Sequence, residues 1–419
     1  MKLAVLCPHF APDLAPTGEV ISRIVHELAR RGHELHVVTA LPWYLHHAVE
    51  PEWRGRLVRT ERTEWGSITR VHPFPTDKRS IPQRAIGFAA FSALAGLAGL
   101  RGGRVDGVLA MSPPLTMGLT GWAMSVSRRG PLVFNVQDVF PDAAIEVGAI
   151  TNASVIALAR RLERVSYHRA AAVTVLSDDL RDNLVRKVKP SRRGTIRVIP
   201  NFVDTVAVTP GDRMTAYRRQ LGIGDETVVL YAGNVGFSQS LDLVLAAAER
   251  HRHDPGTVFL INGGGSAKLE LEATVAQRGL GNVRFAPYQP KERLAEVLAT
   301  GDIHLVPLKA GLAQASVPSK TYSILAAGRP VLASVDPGTE VARVVDAAGA
   351  GVAVAPDDPD AFCAALDRLL ADPEGSRAMG ARGRSFVERW ASPAAVAVAY
   401  EELFAELLRA RSVRRGPRR

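Results

Sequence analysis

A serine–lysine pair at the start of a short helix is the part of this 419-residue sequence best suited to chemistry. The segment Ser316-Val-Pro-Ser-Lys320 follows an apolar run at 303–307 and leads into a helix that we predict to begin near Pro318. Ser319 and Lys320 then lie where unpaired backbone N–H groups and the positive end of the helix dipole gather. Such a terminus binds phosphate, and Lys320 adds a positive charge. An ordinary strand-to-helix connection with an incidental lysine is the alternative.

Two more loops with glycines and polar side chains follow predicted strands in the same part of the chain. The loop at 233–239 follows a strand at 228–231, and three consecutive glycines at 263–265 follow a strand at 258–261. Parallel strands end at one edge of their sheet, where ligands bind in such folds. Glycine lets the backbone approach a ligand closely. The sequence therefore predicts a ligand site formed by three loops, with contacts from Asn234, Gly236, Gln239 and Gly264.

The elements that position these loops form two series of alternating strands and helices. The strands predicted in the first series are 3–7, 34–39, 107–110, 132–136, 173–176 and 196–199. Those of the second series are 228–231, 258–261, 283–285, 303–306, 331–334 and 351–354. Such alternation is typical of a parallel sheet covered by helices on both faces. We predict an α/β fold with two doubly wound, Rossmann-like domains that face a cleft.

A break in the pattern sets the predicted domain boundaries. Residues 1–200 form the N-terminal Rossmann-like domain, 201–211 a linker, and 212–390 the C-terminal Rossmann-like domain. We expect a helix at 391–408 to cross back to the first domain. The basic tail at 409–419 has no apolar face and is expected to be disordered.

Composition limits the class of protein. The chain has 52 Lys and Arg against 42 Asp and Glu, and its hydrophobic content of 47% is ordinary for a globular protein. Cys7 and Cys363 do not imply a disulfide framework, which fits a reducing compartment. The eleven histidines show no ligand spacing with cysteines or carboxylates, so we expect no metal.

The longest uncharged apolar stretch, at 85–100, raises the question of a membrane. It is shorter than the ~20 residues that span a bilayer. A helix that rests on a membrane surface and a buried core helix both fit it. The basic tail fits contact with anionic lipid or nucleic acid, and equally a solubilising end.

Several motifs spread along the chain resemble one family, the family 4 glycosyltransferases of the GT-B fold. Those motifs are Phe10-Ala-Pro-Asp with Thr17-Gly18, Arg31-Gly-His-Glu-Leu-His-Val-Val-Thr39, Asn201-Phe-Val-Asp204, Tyr231-Ala-Gly-Asn-Val-Gly236 and Ala327-Gly-Arg-Pro-Val331. Two others, Ser112-Pro-Pro-Leu115 and Asn135-Val-Gln-Asp-Val-Phe-Pro-Asp142, are similar to the branch that builds cell-surface polysaccharides.

The resemblance implies a retaining transfer of an N-acetylated amino sugar from UDP to a lipid-linked or growing glycan acceptor. We expect a cytoplasmic protein that uses no metal and binds no nucleic acid, with peripheral contact at the inner face of the plasma membrane left open. A glycosyltransferase that decorates a soluble small molecule is one alternative. A nucleotide-sugar-binding protein without turnover is the other.

The chain departs from this family around the helix that binds the diphosphate. Most members carry two glutamates there, one for the donor sugar and one for the ribose, where this chain has Ala315 and Ser323. Asn234 and Gln239 replace a basic pair. Serine still binds a ribose hydroxyl, and glutamine still donates to phosphate without charge. Neutralising the leaving diphosphate therefore depends on Lys320, backbone amides and the helix dipole.

Three further residues are candidates on weaker patterns. Gly18, which lacks a side chain, lets the backbone approach the diphosphate, or it simply serves a helix-entry turn. Asp138 binds a hydroxyl or acts as a base, or it is a helix N-cap or part of a loop turn. Glu340 binds a donor hydroxyl, or it is an ordinary first-turn glutamate. The predicted catalytic residues are Lys320 and Asp138, and the predicted donor-binding residues are Gly18, Asn234, Gly236, Gln239, Gly264, Ser316, Ser319, Lys320, Ser323 and Glu340.

Overall fold

The chain divides into two compact units in a computed structural model. The model describes residues 1–13, 15–44, 46–75, 81–142, 145, 150–236, 238–311 and 319–415. Unit 1 comprises Met1–Asn201 together with Pro393–Arg419, and unit 2 comprises Phe202–Ser392. Each unit has its own sheet and its own buried core.

The sheet of unit 1 contains eight strands among the described residues. Their order is β3-β4-β2-β1-β5-β6-β7-β8, and all neighbours are parallel except the β3–β4 pair. The central strands are apolar and buried because helices cover them, as parallel sheets require. The strands are β1 Lys2–Leu6, β2 Glu34–Ala40, β3 Val58–Thr63, β4 Gly66–Val71, β5 Gly107–Met111, β6 Leu132–Val136, β7 Ala172–Val175 and β8 Ile196–Val198.

The helices of unit 1 follow these strands and pack on the sheet. They are α1 Pro16–Arg30, α2 Ile81–Leu100, α3 Met117–Arg128, α4 Ala153–Arg169 and α5 Asp178–Lys187, with α14 Pro393–Arg415 at the end of the chain. Two short 3-10 helices lie at Pro51–Trp53 and Pro190–Thr195. Helix α2 packs against α3 but leaves Ile86 and Leu97 exposed, so the helix is partly buried and partly open to solvent. No helix in the described part of the chain is long and apolar enough to cross a bilayer.

The last helix, α14, belongs to unit 1 and packs on α1. Its Tyr400 hydroxyl accepts a hydrogen bond of 2.9 Å from the Asn135 side chain inside the core. The ring of Phe404 lies over Gly107, where a Cβ would overlap it. The tail that we expected to be disordered from residue 409 is helical as far as Arg415, and Arg411 donates to the Arg129 carbonyl at 3.1 Å.

The sheet of unit 2 contains six strands among the described residues, all parallel, in the order β11-β10-β9-β12-β13-β14. The strands are β9 Thr227–Ala232, β10 Thr257–Asn262, β11 Val283–Ala286, β12 Ile303–Pro307, β13 Val331–Ser334 and β14 Gly351–Val354. The helices are α6 Ala216–Gln220, α7 Leu241–Arg250, α8 Lys268–Arg278, α9 Leu294–Thr300, α10 Ser319–Ala326, α11 Glu340–Ala348, α12 Pro359–Ala371 and α13 Pro373–Trp390, with a 3-10 helix at Lys291–Arg293.

These two parallel sheets confirm the predicted fold class, a pair of Rossmann-like sheets with a C-terminal helix against α1. The sequence prediction missed the β3–β4 hairpin. Strand β3 lies at the sheet edge and carries Arg, Glu and Thr, so it lacks the apolar run by which the central strands were recognised.

Candidate functional site

Lys320 stands at the start of helix α10, beside the end of strand β9. Its ammonium group lies 3.3 Å from the Tyr231 hydroxyl and 4.5 Å from the centroid of the Tyr231 ring. Burial lowers the pKa of Lys320 from 10.5 to about 8, because the charged form loses water. The structure thus holds one desolvated ammonium at the first turn of a helix, where an anion would stabilise its charge.

Tyr231 connects this lysine to the first glycine loop. The side chain is fully buried, and its hydroxyl donates to the Asn234 carbonyl at 2.5 Å. Burial raises the pKa of Tyr231, so the phenol stays protonated and serves as acceptor for Lys320 and donor to the loop. From the sequence, Tyr231 is an interior strand residue, because a tyrosine in an apolar run gives no sign of the partners that its hydroxyl finds.

The two glycine loops are packed backbone to backbone. Gly233 has φ +150°, and a Cβ there would lie 3.2 Å from the Lys320 Nζ atom. A Cβ on Gly263 would collide with the Gly233 carbonyl oxygen. The Val235 amide donates to the Gly264 carbonyl at 2.9 Å. The backbone angles therefore favour glycine at 233 and 263, and the close approach of the two loops also requires it at 263.

Gln239 and Lys309 line a cavity of about 150 Å³ beside the first loop. The Gln239 side-chain oxygen accepts from the Gly236 amide at 3.0 Å, and its NH₂ group donates one hydrogen to the Ser238 hydroxyl at 2.9 Å and keeps a second N–H for another acceptor. The Lys309 amide donates to the Ser238 carbonyl at 3.1 Å and joins the loop after β12 to the loop after β9. Lys309 was not predicted from the sequence; it lies two residues after the buried strand β12. It supplies a cation beside Gln239 in the lining of this cavity.

The remaining predicted residues of unit 2 are placed as follows. Glu340 begins α11, and its carboxylate accepts from the Tyr322 hydroxyl at 3.1 Å and from Arg343 at 3.0 Å. Ser323 is half-buried on α10. Ser316 lies outside the described residues, and of Ser319 only the backbone at the start of α10 is described. Donor contacts from these four residues stay predictions.

Unit 1 has a separate cluster at the carboxyl end of β1 that sequence analysis overlooked. His9 Nδ1 lies 2.6 Å from the Asp13 carboxylate, which also accepts from the Tyr44 amide at 2.9 Å. The imidazole stacks on the Trp43 ring at 5.6 Å. Gly18 packs against this histidine, since a Cβ at Gly18 would lie 2.9 Å from the His9 Cβ. Gly18 thus has a packing role, and its contact with a diphosphate stays a prediction.

Asp138 follows strand β6, as predicted, and is exposed. Partial desolvation by the surrounding loop raises the pKa of its carboxyl. The structure gives the carboxylate no hydrogen bond from a described residue, and the role of Asp138 stays a prediction. In the described part of the chain, no group of three or more His, Cys, Asp or Glu could hold a metal ion.

Comparison with known proteins places this geometry in a family. The model of "Glycosyl transferase 4-like domain" matches residues 17–201, and that of "Glycosyl transferases group 1" matches residues 213–386. The chain is a member of the group 1, family 4 glycosyltransferases, a retaining family with the GT-B fold that uses nucleotide-sugar donors and generally needs no metal.

Two relatives and one solved structure are similar to this chain over most of its length. Colanic acid biosynthesis glycosyl transferase WcaI of Escherichia coli strain K12 is 29% identical over 385 residues, covering 89% of this chain and 93% of that protein. D-inositol 3-phosphate glycosyltransferase of Nocardia farcinica is 30% identical over 414 residues, covering 91% and 84%. Anabaena Alr3699/HepE, solved in complex with UDP, is 13% identical with a TM-score of 0.64, covering 97% of this chain and all of that one.

Proposed function

We propose that this enzyme transfers an N-acetylated amino sugar from UDP to a lipid-linked or growing glycan acceptor during cell-surface polysaccharide synthesis. The similarity to WcaI over almost the full length of both chains supports a polysaccharide pathway. The structural likeness to a protein solved with UDP agrees with a fold that accepts this nucleotide. The reaction would take place on the cytoplasmic side of the membrane, where nucleotide sugars are made.

The observation that carries the proposal is the position of the Lys320 ammonium between helix α10 and the first glycine loop. Glycosyl transfer leaves a nucleoside diphosphate whose negative charge grows in the transition state, and donors already fixed in place stabilise it best. Tyr231 and the close backbone at Gly233 hold the ammonium in place before any ligand arrives. Lys309 and the NH₂ group of Gln239 supply further donors at the same loop.

The base of the nucleotide has a candidate platform at the end of β11. Tyr288 is 58% exposed, and its ring lies within 3.6 Å of the Cβ that Gly264 would carry. The Asn262 side chain donates to the Pro287 carbonyl at 2.6 Å and holds this turn against β10. An exposed aromatic ring beside a glycine loop offers a stacking surface for uracil.

Assays with UDP-sugars and isolated membrane lipids test the proposal. Product formation from UDP-N-acetylhexosamines, with turnover reduced about 10²-fold or more by Lys320→Ala, is the expected result. The exposed Lys189→Ala, which also removes one positive charge, should retain normal turnover. Donor binding without product in any acceptor mixture would instead support a binding protein without turnover. Normal turnover in Lys320→Ala would remove this lysine from the mechanism.

A soluble acceptor is the second candidate. This candidate is favoured by the 30% identity to a D-inositol 3-phosphate glycosyltransferase. The name of that relative refers to D-inositol 3-phosphate, which is a small soluble molecule. Replacing the lipid extract with the water-soluble fraction of the same cells separates the two. Product formed only with the soluble fraction would overturn the lipid-linked acceptor and leave the transferase activity in place.

A further inference from the structure

A cavity of about 770 Å³ opens at the amino-terminal edge of the unit 1 sheet. It reaches Leu132, the first residue of β6, and Ala171, which directly precedes β7. Asp138 follows the opposite end of β6, and a five-residue strand separates its two ends by about 13 Å. The cavity is therefore distinct from the loops at the carboxyl ends of the strands.

The lining of this cavity is strongly basic. Among the described residues it is lined by five arginines and one histidine but by no aspartate or glutamate; the basic residues are Arg104, Arg129, Arg169, Arg192, Arg411 and His168. They come from separate parts of the chain, from the connection before β5 to the final helix α14. Gathering like charges in one concave surface is unfavourable unless an anion accompanies them.

Local packing fixes several of these groups in place. The guanidinium of Arg169 lies 4.4 Å from the centroid of the Trp122 ring, which leaves its edge available for hydrogen bonds. Arg411 donates to the Arg129 carbonyl at 3.1 Å. Arg192 donates to the Ala170 carbonyl. The arginines are thus held near one another before a ligand binds.

Two buried nitrogen atoms in the lining lack a hydrogen-bond partner among the described residues. They are Nε of Arg192 and Nε2 of His168. His168 Nδ1 lies 2.7 Å from the Arg164 carbonyl and so carries a hydrogen, which makes Nε2 of the neutral ring an acceptor and leaves the contacts with an anion to the arginines. Burial lowers the pKa of Arg192, which means that its charge lacks adequate solvation or pairing. An anion in the cavity would stabilise this positive charge.

We infer that this cavity binds a small ligand that carries at least two phosphate groups. One guanidinium group can donate to two phosphate oxygens at once. The five arginines therefore offer more donors than a single phosphate group can accept. The volume is also that of a small-molecule site rather than of a single ion. A free diphosphate compound and the diphosphate headgroup of a lipid share this chemistry.

Calorimetric titration with inorganic pyrophosphate tests the site in the full chain. The titration uses the Lys320→Ala variant, so that the loops of unit 2 do not compete for the probe. We expect one binding event, weakened at least about tenfold by Arg104→Glu or by Arg169→Glu, each of which removes a charge-assisted contact. Arg161→Glu is the matched control, because it makes the same charge change on helix α4 without lining the cavity.

Sedimentation with phosphatidylcholine vesicles that contain diacylglycerol pyrophosphate distinguishes the two sources. If the Arg104 and Arg169 variants lose pyrophosphate binding but sediment with the vesicles as the native chain does, the ligand is a free compound. If they also lose vesicle binding, the ligand is a lipid headgroup. Arg104 makes no hydrogen bond or ion pair with the described residues, so Arg104→Glu should fold normally. Equal behaviour of the Arg104, Arg169 and Arg161 variants with both probes would overturn the site.

Discussion

Replacing Lys320 by methionine should stabilise unit 2 while it impairs the reaction. Burial lowers the pKa of Lys320 from 10.5 to about 8, so the folded state holds this proton less tightly than the unfolded chain does. The difference, 10.5 − 8 or about 2.5 pKa units, corresponds to a cost of about 3 kcal/mol at neutral pH. Methionine has a similar length and carries no charge.

The net gain is smaller because the lysine also makes favourable contacts. Its hydrogen bond to the Tyr231 hydroxyl and its position over the ring together contribute about 1 kcal/mol. We therefore expect the free energy of unfolding to rise by about 2 kcal/mol at pH 7. The cost of the buried charge is fully present below pH 8 and disappears as the pH rises toward 10.5. The difference between Lys320→Met and the native chain should shrink over that interval.

Hydrogen exchange of the β9 amides measures this effect within unit 2, independently of how unit 1 unfolds. The exposed Lys189→Met should change stability by less than about 0.5 kcal/mol. Turnover of Lys320→Met should fall about 10²-fold or more in parallel. A variant that is less stable than the native chain at pH 7 would refute the reasoning about the desolvated ammonium, whatever its activity.

The other predictions concern donor binding and the membrane. The donor Kd should rise about tenfold per pH unit above pH 8, because the bound form needs the charged Lys320; a flat calorimetric profile to pH 10 would contradict this. Gly233→Ala should abolish donor binding through strain at φ +150° while unit 2 remains folded by circular dichroism. Tyr288→Ala should weaken UDP by about tenfold, as loss of one stacked base does, and leave pyrophosphate binding unchanged. Leu97→Asp should reduce sedimentation with anionic vesicles if α2 rests on the membrane, and unchanged sedimentation would exclude that role.

The sequence predicted the two-sheet fold because its central strands are apolar runs that only burial explains. The three loops of unit 2 followed from the same pattern, since parallel strands must end at one edge. Lys309 and the His9–Asp13 pair were missed for a different reason. Their significance depends on which side chains meet in space, and single residues after a strand carry no periodic signal. The roles of Asp138 and Glu340 stay predictions, because position alone does not reveal what a carboxylate binds.

Unit 1 is built from two separate stretches of the chain, and this has a consequence for how the protein is made. Tyr400 and Phe404 fill the interior against Asn135 and Gly107, yet they leave the ribosome only after the whole of unit 2. The first two hundred residues must therefore wait, with part of their interior uncovered, until translation of unit 2 is complete. Any truncation before α14 would leave that interior permanently open to solvent.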